Sequence, residues 1–397
     1  MVLKAFKLRL YPNKTQRNQI HVNFGCARFV WNQMLNMHIE RYKNNKKAKF
    51  QGRYSMDVML KALKIEYPWL KQAESTSLQR VNRDLDDAFQ RFFNHDLQNG
   101  FPRFKSKKNT NQSYTSKFVN NNIRIVDEHH IKLPKLGLVY FKAGRILNGK
   151  IRAVTVSVNS RKQYQASILV EGENQTFKKT KKSVGIDLGL KSLAITSDSQ
   201  KEDILKVDDR LNKKLRIWER KKSRRYENAK KAMAFDEHDK VLFPRTDLKQ
   251  FPRYQQAVRT VAKLKKHIAE RRRDNLHKLT TRLVKDYDTI VVENLSVKNM
   301  MKNHHLSASI ANASWGTLIS QLKYKCAWYG KKLIIIDPKN TSRICHECKQ
   351  KNHEFDSLSQ SEWLAAREWD CPNCHAHLDR DVNAAKNILA KGLETLS

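Results

Sequence analysis

Two short cysteine pairs constrain this chain more than any other feature: Cys345-His-Glu-Cys348 and Cys371-Pro-Asn-Cys374, with 22 residues between them. A C-x-x-C turn presents two sulfurs from one tight knuckle. Two such knuckles can close a tetrahedral shell of four thiolates around one zinc ion, at about 2.3 Å per bond. The segment between them must then fold back on itself as a ribbon. Four sulfur ligands leave no open position, so such an ion holds structure and does not activate water. His346, His375 and His377 could substitute as ligands, but each lies beside a better one. His375-Ala376-His377 also has the His-hydrophobe-His spacing of nucleases that use a tyrosine nucleophile. Inside a ribbon whose backbone zinc already fixes, the pair reads as part of the knuckle. Cys26 and Cys326 stand apart and read as small buried residues.

Carboxylates carry the second signal. Asp187 ends the apolar run of Ser-Val-Gly-Ile-Asp-Leu-Gly, and taken alone it could be a turn-forming residue. Glu293 follows Thr-Ile-Val-Val, and a charge ending so apolar a strand needs an ion, a partner or the surface. Asp379 and Asp381 flank Arg380 just before an apolar helical stretch. At 3.6 residues per turn Asp381 shares a helix face with Ala385 and Ile388, whereas Asp379 points away and suits N-capping. Asp381 is therefore expected to face a sheet. Three carboxylates meeting at one sheet edge would repel one another unless cations joined them. With two Mg²⁺ ions they form a site for phosphodiester hydrolysis. Asp187, Glu293 and Asp381 are accordingly the candidate catalytic residues. No phosphate-binding glycine loop, dinucleotide fingerprint or zincin motif competes with them.

The order of elements supports that convergence. Residues 4 to 10 alternate as a strand, and Pro12-Asn13 opens a helix running past Trp31. A second helix, from Ser75 to about His95, carries Leu78, Leu85, Phe89 and Phe92 on one stripe and Arg80 and Arg83 on the other. Residues 97 to 126 hold no acidic side chain and read as a basic loop containing Arg103 and Lys105. Short strands follow over 123 to 172, with a hairpin from Ile151 to Val158 and Tyr164 to Val170. Strands at 183 to 188 and 192 to 197, and a third at 203 to 207, precede helices at 211 to 234 and 255 to 286. Then come a strand at 289 to 292, a helix from Ser314 to Trp328, a strand at 332 to 336 and a final helix. This is the order of a ribonuclease-H-like α/β layer fold.

Charge now decides the partner. Lys and Arg number 78 against 39 Asp and Glu, a formal net charge of +39, which points to a polyanion. The helix at 211 to 234 holds ten Lys or Arg between 213 and 231 against only Glu219 and Glu227. That imbalance exceeds what ion-pair networks absorb, so Arg224, Arg225, Arg271 and Arg272, with Arg80, Arg83, Arg103 and Lys105, are candidate nucleic-acid contacts. Arg80 and Arg83 equally suit a solvated face. At 40% hydrophobic residues the chain builds cores and is no disordered basic tail. No apolar run is longer than Leu333 to Ile336, and cations at positions 4, 7 and 9 interrupt any signal peptide, so an intracellular, reducing setting is expected.

At these residues the sequence resembles the transposon-encoded TnpB family, compact RNA-guided endonucleases related to type V CRISPR effectors. The markers are Lys4-Ala-Phe-Lys-Leu-Arg-Leu-Tyr-Pro12, Gly100-Phe-Pro-Arg-Phe-Lys105, Gly185-Ile-Asp-Leu-Gly189, Val292-Glu-Asn-Leu295, Thr341-Ser342 and Asp379-Arg-Asp-Val-Asn-Ala-Ala385. The resemblance implies a wedge-type β-barrel over 1–178, with a helical recognition lobe inserted at about 13–100. It further implies a RuvC nuclease domain over 179–397, with a zinc ribbon at 341–376 inserted in it. Carried over, the RuvC triad falls on Asp187, Glu293 and Asp381 as magnesium ligands, and the zinc ligands on Cys345, Cys348, Cys371 and Cys374. Lys349 stands where the family commonly has Gly, and Glu237 to Pro252 is longer than its usual helix connection. The implied partners are a guide RNA from the transposon end and double-stranded target DNA beside a short adjacent motif, bound by a monomer in a prokaryotic cytosol or nucleoid. No His-Asn-His nuclease module is evident, so one RuvC site would cut both strands in turn. The alternatives are a non-cleaving RNA-guided repressor, an unguided RuvC-like junction resolvase and a strand-transferring transposase.

Overall fold

A computed structural model describes residues 2–395 apart from 98, 143–148, 160, 174–175, 204–208, 232–247, 249, 303–306, 357, 359–361 and 363–365. The chain divides into two compact units between residues 173 and 174.

In the first unit, β1 (Val2–Leu10) leads into α1 (Lys14–Asn44) through a reciprocal cap. The Asn13 side chain accepts from the Gln16 amide at 2.8 Å and the Gln16 side chain from the Asn13 amide at 3.0 Å. Then follow α2 (Arg53–Glu66), α3 (Ser75–Phe93), β2 (Gln112–Lys117), β3 (Arg124–Ile125), β4 (His130–Leu133), β5 (Gly137–Lys142), β6 (Lys150–Val158) and β7 (Tyr164–Gly172). The strands form one antiparallel sheet in the order β2-β6-β7-β1-β5-β4-β3. Where the resemblance implies a barrel, this sheet is a curled half-barrel whose end strands, β2 and β3, do not pair with each other. Period-two alternation turns Leu8, Leu10, Phe141, Val156 and Ile168 inward, into one core with Ile20, Leu78 and Leu85 of the helices.

Two elements differ from expectation. The residues read as one basic loop contain β2, whose inward positions are Tyr114 and Ser116. Ser116 is buried because its hydroxyl donates to the Glu74 carboxylate at 3.0 Å, so a polar strand is held where apolar alternation gives no signal. The helix α2 was not anticipated. Its buried Met56, Leu60 and Leu63 form a stripe only one residue wide.

The second unit is built on a five-stranded sheet of order β10-β9-β8-β11-β12. Here β8 is Ser183–Asp187, β9 Ser192–Thr196, β10 Lys201–Asp203, β11 Thr289–Glu293 and β12 Lys332–Ile336. The first three strands meander antiparallel, while β8, β11 and β12 run parallel. The third strand thus lies at 201–203 rather than 203–207, and 204–207 fall outside the described residues. Helices α4 (Asp209–Lys231) and α5 (Pro252–Asp286) connect β10 to β11. Helices α6 (Val297–Met300), α7 (Ser307–Ala313) and α8 (Trp315–Tyr329) connect β11 to β12. Residues 232–234 of the expected first helix, and 237–247 of the long connection, also lie outside the described residues. A small hairpin of β13 (Glu368–Asp370) and β14 (His377–Asp379) leads directly into α9 (Arg380–Glu394).

Alternation assigns the sheet's two faces. Val184, Ile186, Ile290 and Val292 pack with Leu283, Leu318 and Leu322 of α5 and α8. Val291 and Ile336, on the other face, pack with Ile388 of α9. Asp187 and Glu293 belong by parity to the face that α9 covers.

Candidate active site and metal centre

The close seating of α9 on β8 starts at Gly185. A Cβ there would lie 2.1 Å from the Ala385 carbonyl oxygen and 2.6 Å from the Leu389 amide nitrogen, so only glycine lets the helix backbone come this near. Two residues on, at about 3.3 Å per residue, the strand reaches Asp187 on the same face. Four residues back from Ala385, at 1.5 Å per residue, the helix reaches Asp381. The charge of Asp381 accordingly reaches the Asp187 carboxyl. Strand β11 supplies the third group. Val292 is in register with Ile186, so Glu293 follows beside Asp187 at the carboxyl ends of two parallel strands.

The electrostatics record the crowding. Burial pushes the Asp187 carboxyl up, the charges of Glu293 and Asp381 add to the rise, and Arg380 and the Leu188 amide oppose it, leaving it at about 7. Glu293, 6% exposed, is likewise raised by burial, against the Thr341 hydroxyl and the charge of Lys391. Thr341 Oγ1 donates to Glu293 Oε1 at 2.5 Å. Asp381 is met by two guanidinium groups: Arg380 reaches Oδ1 at 3.0 and 3.2 Å, and Arg367 reaches Oδ2 at 3.1 Å. Asp379 caps α9, accepting from the Asp381 and Val382 amides at 3.0 Å each, with Lys201 on its other oxygen at 2.7 Å.

Four cysteines form the second cluster. The Sγ atoms of Cys345, Cys348, Cys371 and Cys374 all lie within 4.8 Å of one another. Cys345 and Cys374 are 3.7 Å apart, Cys348 and Cys371 3.6 Å. A tetrahedron with about 2.3 Å from centre to corner has edges of about 3.8 Å, so these sulfurs could hold one zinc ion. Burial works against a thiolate at Cys371, but the Cys374 and Asn373 amides and the neighbouring sulfurs bring it down to about 7. The residue after each pair, Lys349 (φ 62°) and His375 (φ 59°), is left-handed. That explains why glycine suits the first knuckle and shows that lysine adopts the same turn. His377 Nδ1 lies 2.8 Å from Asp370, and His346 contacts Lys386 at 2.8 Å. Cys26 and Cys326 are each 2% exposed, as expected of buried small residues.

Sequence reasoning missed the parts that tie the two clusters together. Asn383 and Asn387, one turn apart on α9 and both buried, donate to the Ile344 carbonyl at 2.8 and 2.6 Å, and Asn387 also to the Thr341 carbonyl at 3.0 Å. The His346 amide donates back to Asn383 Oδ1 at 2.8 Å. The first knuckle and the hydroxyl holding Glu293 are thus pinned to the helix that carries Asp381. A buried amide at i and i+4 inside an apolar helix was the available signal.

The candidate nucleic-acid contacts separate into two groups. Arg83, Arg103, Arg224 and Arg271 are exposed. The others have partners within their own unit. Arg80 pairs with Asp84 at 2.7 Å. The Lys105 ammonium sits 3.7 Å from the centre of the Trp31 ring, with Asn32 clasping its backbone. Arg225 donates to the Arg253 carbonyl at 2.6 Å, and Arg272 to Asn312 at 2.7 Å.

Comparisons with known proteins cover most of this architecture. A family described as "Probable transposase" matches residues 167–304, and one described as "Cas12f1-like, TNB domain" matches 315–388. A third, "Helix-turn-helix domain", matches 1–47, within which a strand, Val2–Leu10, and one unbroken helix, Lys14–Asn44, are seen here. A Streptomyces pristinaespiralis protein named "Putative RNA-guided DNA endonuclease" is 32% identical across 99% of this chain and 90% of its own. An Escherichia coli protein, "Putative RNA-guided DNA endonuclease InsQ", is 31% identical across 100% and 94%. Among solved structures, the protein in "Cryo-EM structure of the Cas12f1-sgRNA-target DNA complex" shares the fold, with a TM-score of 0.57 at 14% identity over 98% of both chains.

Proposed function

The chain belongs to the TnpB family of transposon-encoded RNA-guided DNA endonucleases, and we propose that it cuts double-stranded DNA complementary to a guide RNA through a RuvC-type site made of Asp187, Glu293 and Asp381. One observation carries the chemistry. Three carboxylates from two parallel strand ends and one helix start share one face of the sheet, where burial, and after it the charges of Glu293 and Asp381, lift Asp187 to about 7. All the donors are hard carboxylate oxygens, the set that suits Mg²⁺. Two bound Mg²⁺ ions would supply the positive charge and Lewis acidity for hydrolysing a phosphodiester.

The chain's own residues prepare that site. Thr341 fixes one oxygen of Glu293. Arg380 and Arg367 hold the Asp381 carboxylate in place. Asp379 spans the first turn of α9, fixing where Asp381 begins. The four cysteines would hold a structural zinc, and through Asn383 and Asn387 that knuckle steadies the active-site edge. Sequence is read by pairing between guide and target, while the protein reads duplex shape and a short adjacent motif. The enzyme works as a monomer with its RNA in a prokaryotic cytosol or nucleoid.

The test begins by sequencing RNA that copurifies with the protein and supplying DNA that matches it. Asp187→Ala, Glu293→Ala and Asp381→Ala should each abolish Mg²⁺-dependent cleavage while RNA and target binding persist. Asp379→Ala should keep much of the activity. Binding without cleavage by the wild-type protein would make it a repressor, and cleavage of branched DNA without RNA a junction resolvase.

A further inference from the structure

The marker Gly100-Phe-Pro-Arg-Phe-Lys105 contains a ring that the core does not cover: Phe101 is 45% exposed. It borders a cavity of about 680 Å³ in the first unit, between the end of α1, residues 48–50 and the end of α3. The wall is aromatic. Phe89, which is buried, meets Phe50 at 4.9 Å and Phe101 edge to face at 5.5 Å. Phe93, 46% exposed, stacks on Phe89 at 5.9 Å. The His38 ring stacks on Phe50 at 4.9 Å, and its Nε2 is buried without a hydrogen-bond partner. Burial, and after it the charge of Arg41, hold His38 below its ordinary value against the opposing charge of Asp86, so the ring is neutral at pH 7. A neutral imidazole nitrogen without a partner is a hydrogen-bonding position left open in an otherwise apolar wall. The charged residues around it have one sign. Arg41, Lys43 and Lys49 line the cavity and, among the described residues, no carboxylate does. Lys43 is paired with Glu40 at 3.0 Å, whereas Arg41 and Lys49 are exposed.

An apolar cavity of about 300–1,000 Å³ with a few placed polar groups is the form that small-ligand sites take. Exposed ring faces and edges favour an aromatic body over an aliphatic chain. Cations unaccompanied by carboxylates favour a negative group on that body. We propose that this cavity binds a small aromatic anion, a ring-bearing carboxylate or sulfonate. Its ring lies against Phe93 and Phe101, its charge turns to Arg41 and Lys49, and a polar atom meets His38 Nε2. A nucleic-acid strand carries a charge at every nucleotide, whereas two exposed cations beside an aromatic wall match a single anionic group. The site lies wholly in the first unit and is independent of the nuclease reading. A ligand held there touches both α1 and α3, so its binding should raise the melting temperature.

The experiment titrates the full-length protein with 8-anilinonaphthalene-1-sulfonate, read by its fluorescence, and with the uncharged analogue N-phenyl-1-naphthylamine. Wild type should bind the sulfonate saturably, one per chain, and more tightly than the neutral analogue. Phe93→Ala with Phe101→Ala removes two exposed rings and should weaken both probes about 10-fold. Arg41→Gln with Lys49→Gln should weaken the sulfonate about 2- to 25-fold and leave the neutral analogue unchanged. His38→Phe keeps the stacked ring, removes Nε2 and should cost the sulfonate about 2- to 12-fold. Melting temperatures without probe serve as folding controls for all three variants. Equal sulfonate affinity in wild type and the double alanine variant would overturn the proposal. Equal affinity of wild type for the two probes would overturn the assignment to an anion. Displacement of the bound sulfonate by stoichiometric oligouridine or DNA duplex would give the surface to nucleic acid and overturn it as well.

Discussion

Adding one methyl group at Gly185 should damage catalysis far more than folding. The substitution Gly185→Ala places a carbon 2.1 Å from the Ala385 oxygen, 2.6 Å from the Leu389 nitrogen and 2.8 Å from Leu389 Cβ. Two of these are backbone atoms, so no rotamer change relieves the clash. Opening the 2.1 Å contact to even about 3.0 Å moves the helix by about 0.9 Å. Overpacking of this kind destabilises by about 1–3 kcal/mol. In a unit of this size that lowers the melting temperature by roughly 2–4 °C per kcal/mol. The displaced helix carries Asp381, and an error near 1 Å in placing a reacting group reduces rate by about 100-fold. Cleavage of a guide-matched target should therefore fall by about two orders of magnitude while guide and target binding stay near wild type. Gly392→Ala provides the control. Its Cβ would meet Val291 side-chain atoms at 2.3 and 2.7 Å, eleven residues or about 16 Å along the helix from Asp381. It should cost similar stability and much less activity. A Gly185→Ala protein with wild-type cleavage, or one no worse than Gly392→Ala at equal stability, would refute the claim that this contact sets the position of Asp381.

Four further outcomes follow from the geometry. Thr341→Val removes the hydroxyl donated to buried Glu293 and should cost about 1–3 kcal/mol with at least a tenfold loss of cleavage, whereas Thr341→Ser restores most of both, as chemical denaturation and cleavage rates will show. Cys371→Ser should lower zinc content, measured by metal analysis on freshly purified protein, and depress activity through disorder around Asp381; a wild-type protein without zinc would contradict the assignment. Charge reversal at the exposed Arg224 and Arg271 should flatten the salt dependence of nucleic-acid binding by about one unit per lost phosphate contact, while the melting temperature holds. Asp288 accepts from Lys331 at 2.5 Å and from the Thr180 and Lys181 amides at 2.9 and 2.7 Å, led by Lys331, and this holds its carboxyl well below the ordinary range. A depressed carboxyl stabilises the fold above its unfolded value near 4 and loses that contribution as pH falls further. Asp288→Asn should thus lower stability at neutral pH and narrow the gap to wild type in acid titrations followed by circular dichroism.

What was legible in the sequence, and what was not, divides by the range of the interaction that decides it. The cysteine pairs and the cap at Asp379 are settled within a few residues, so spacing and helical phase suffice to anticipate them. The expected placing of Asp381 toward the sheet needed only that Ala385 and Ile388 share its face, and both are fully buried. Strand β2 was hidden because its inward Ser116 is satisfied by Glu74, a partner 42 residues away that no local pattern announces. The open edge between β2 and β3 is a property of long-range pairing, and short strands alone do not distinguish a half-barrel from a closed one.

The basic residues show the same division most sharply. A count of charges treats Arg224 and Arg225 as equivalent neighbours, and likewise Arg271 and Arg272. Helical geometry separates them by about 100° each, so one of each pair turns to solvent while the other turns to a neighbouring element. Arg225 donates to the Arg253 carbonyl and Arg272 to Asn312, where reversal would leave an acceptor unmatched and a carboxylate against it. Their loss would weaken the fold before it informed on any ligand. A net charge of +39 thus overstates the free binding surface, because part of it is structural.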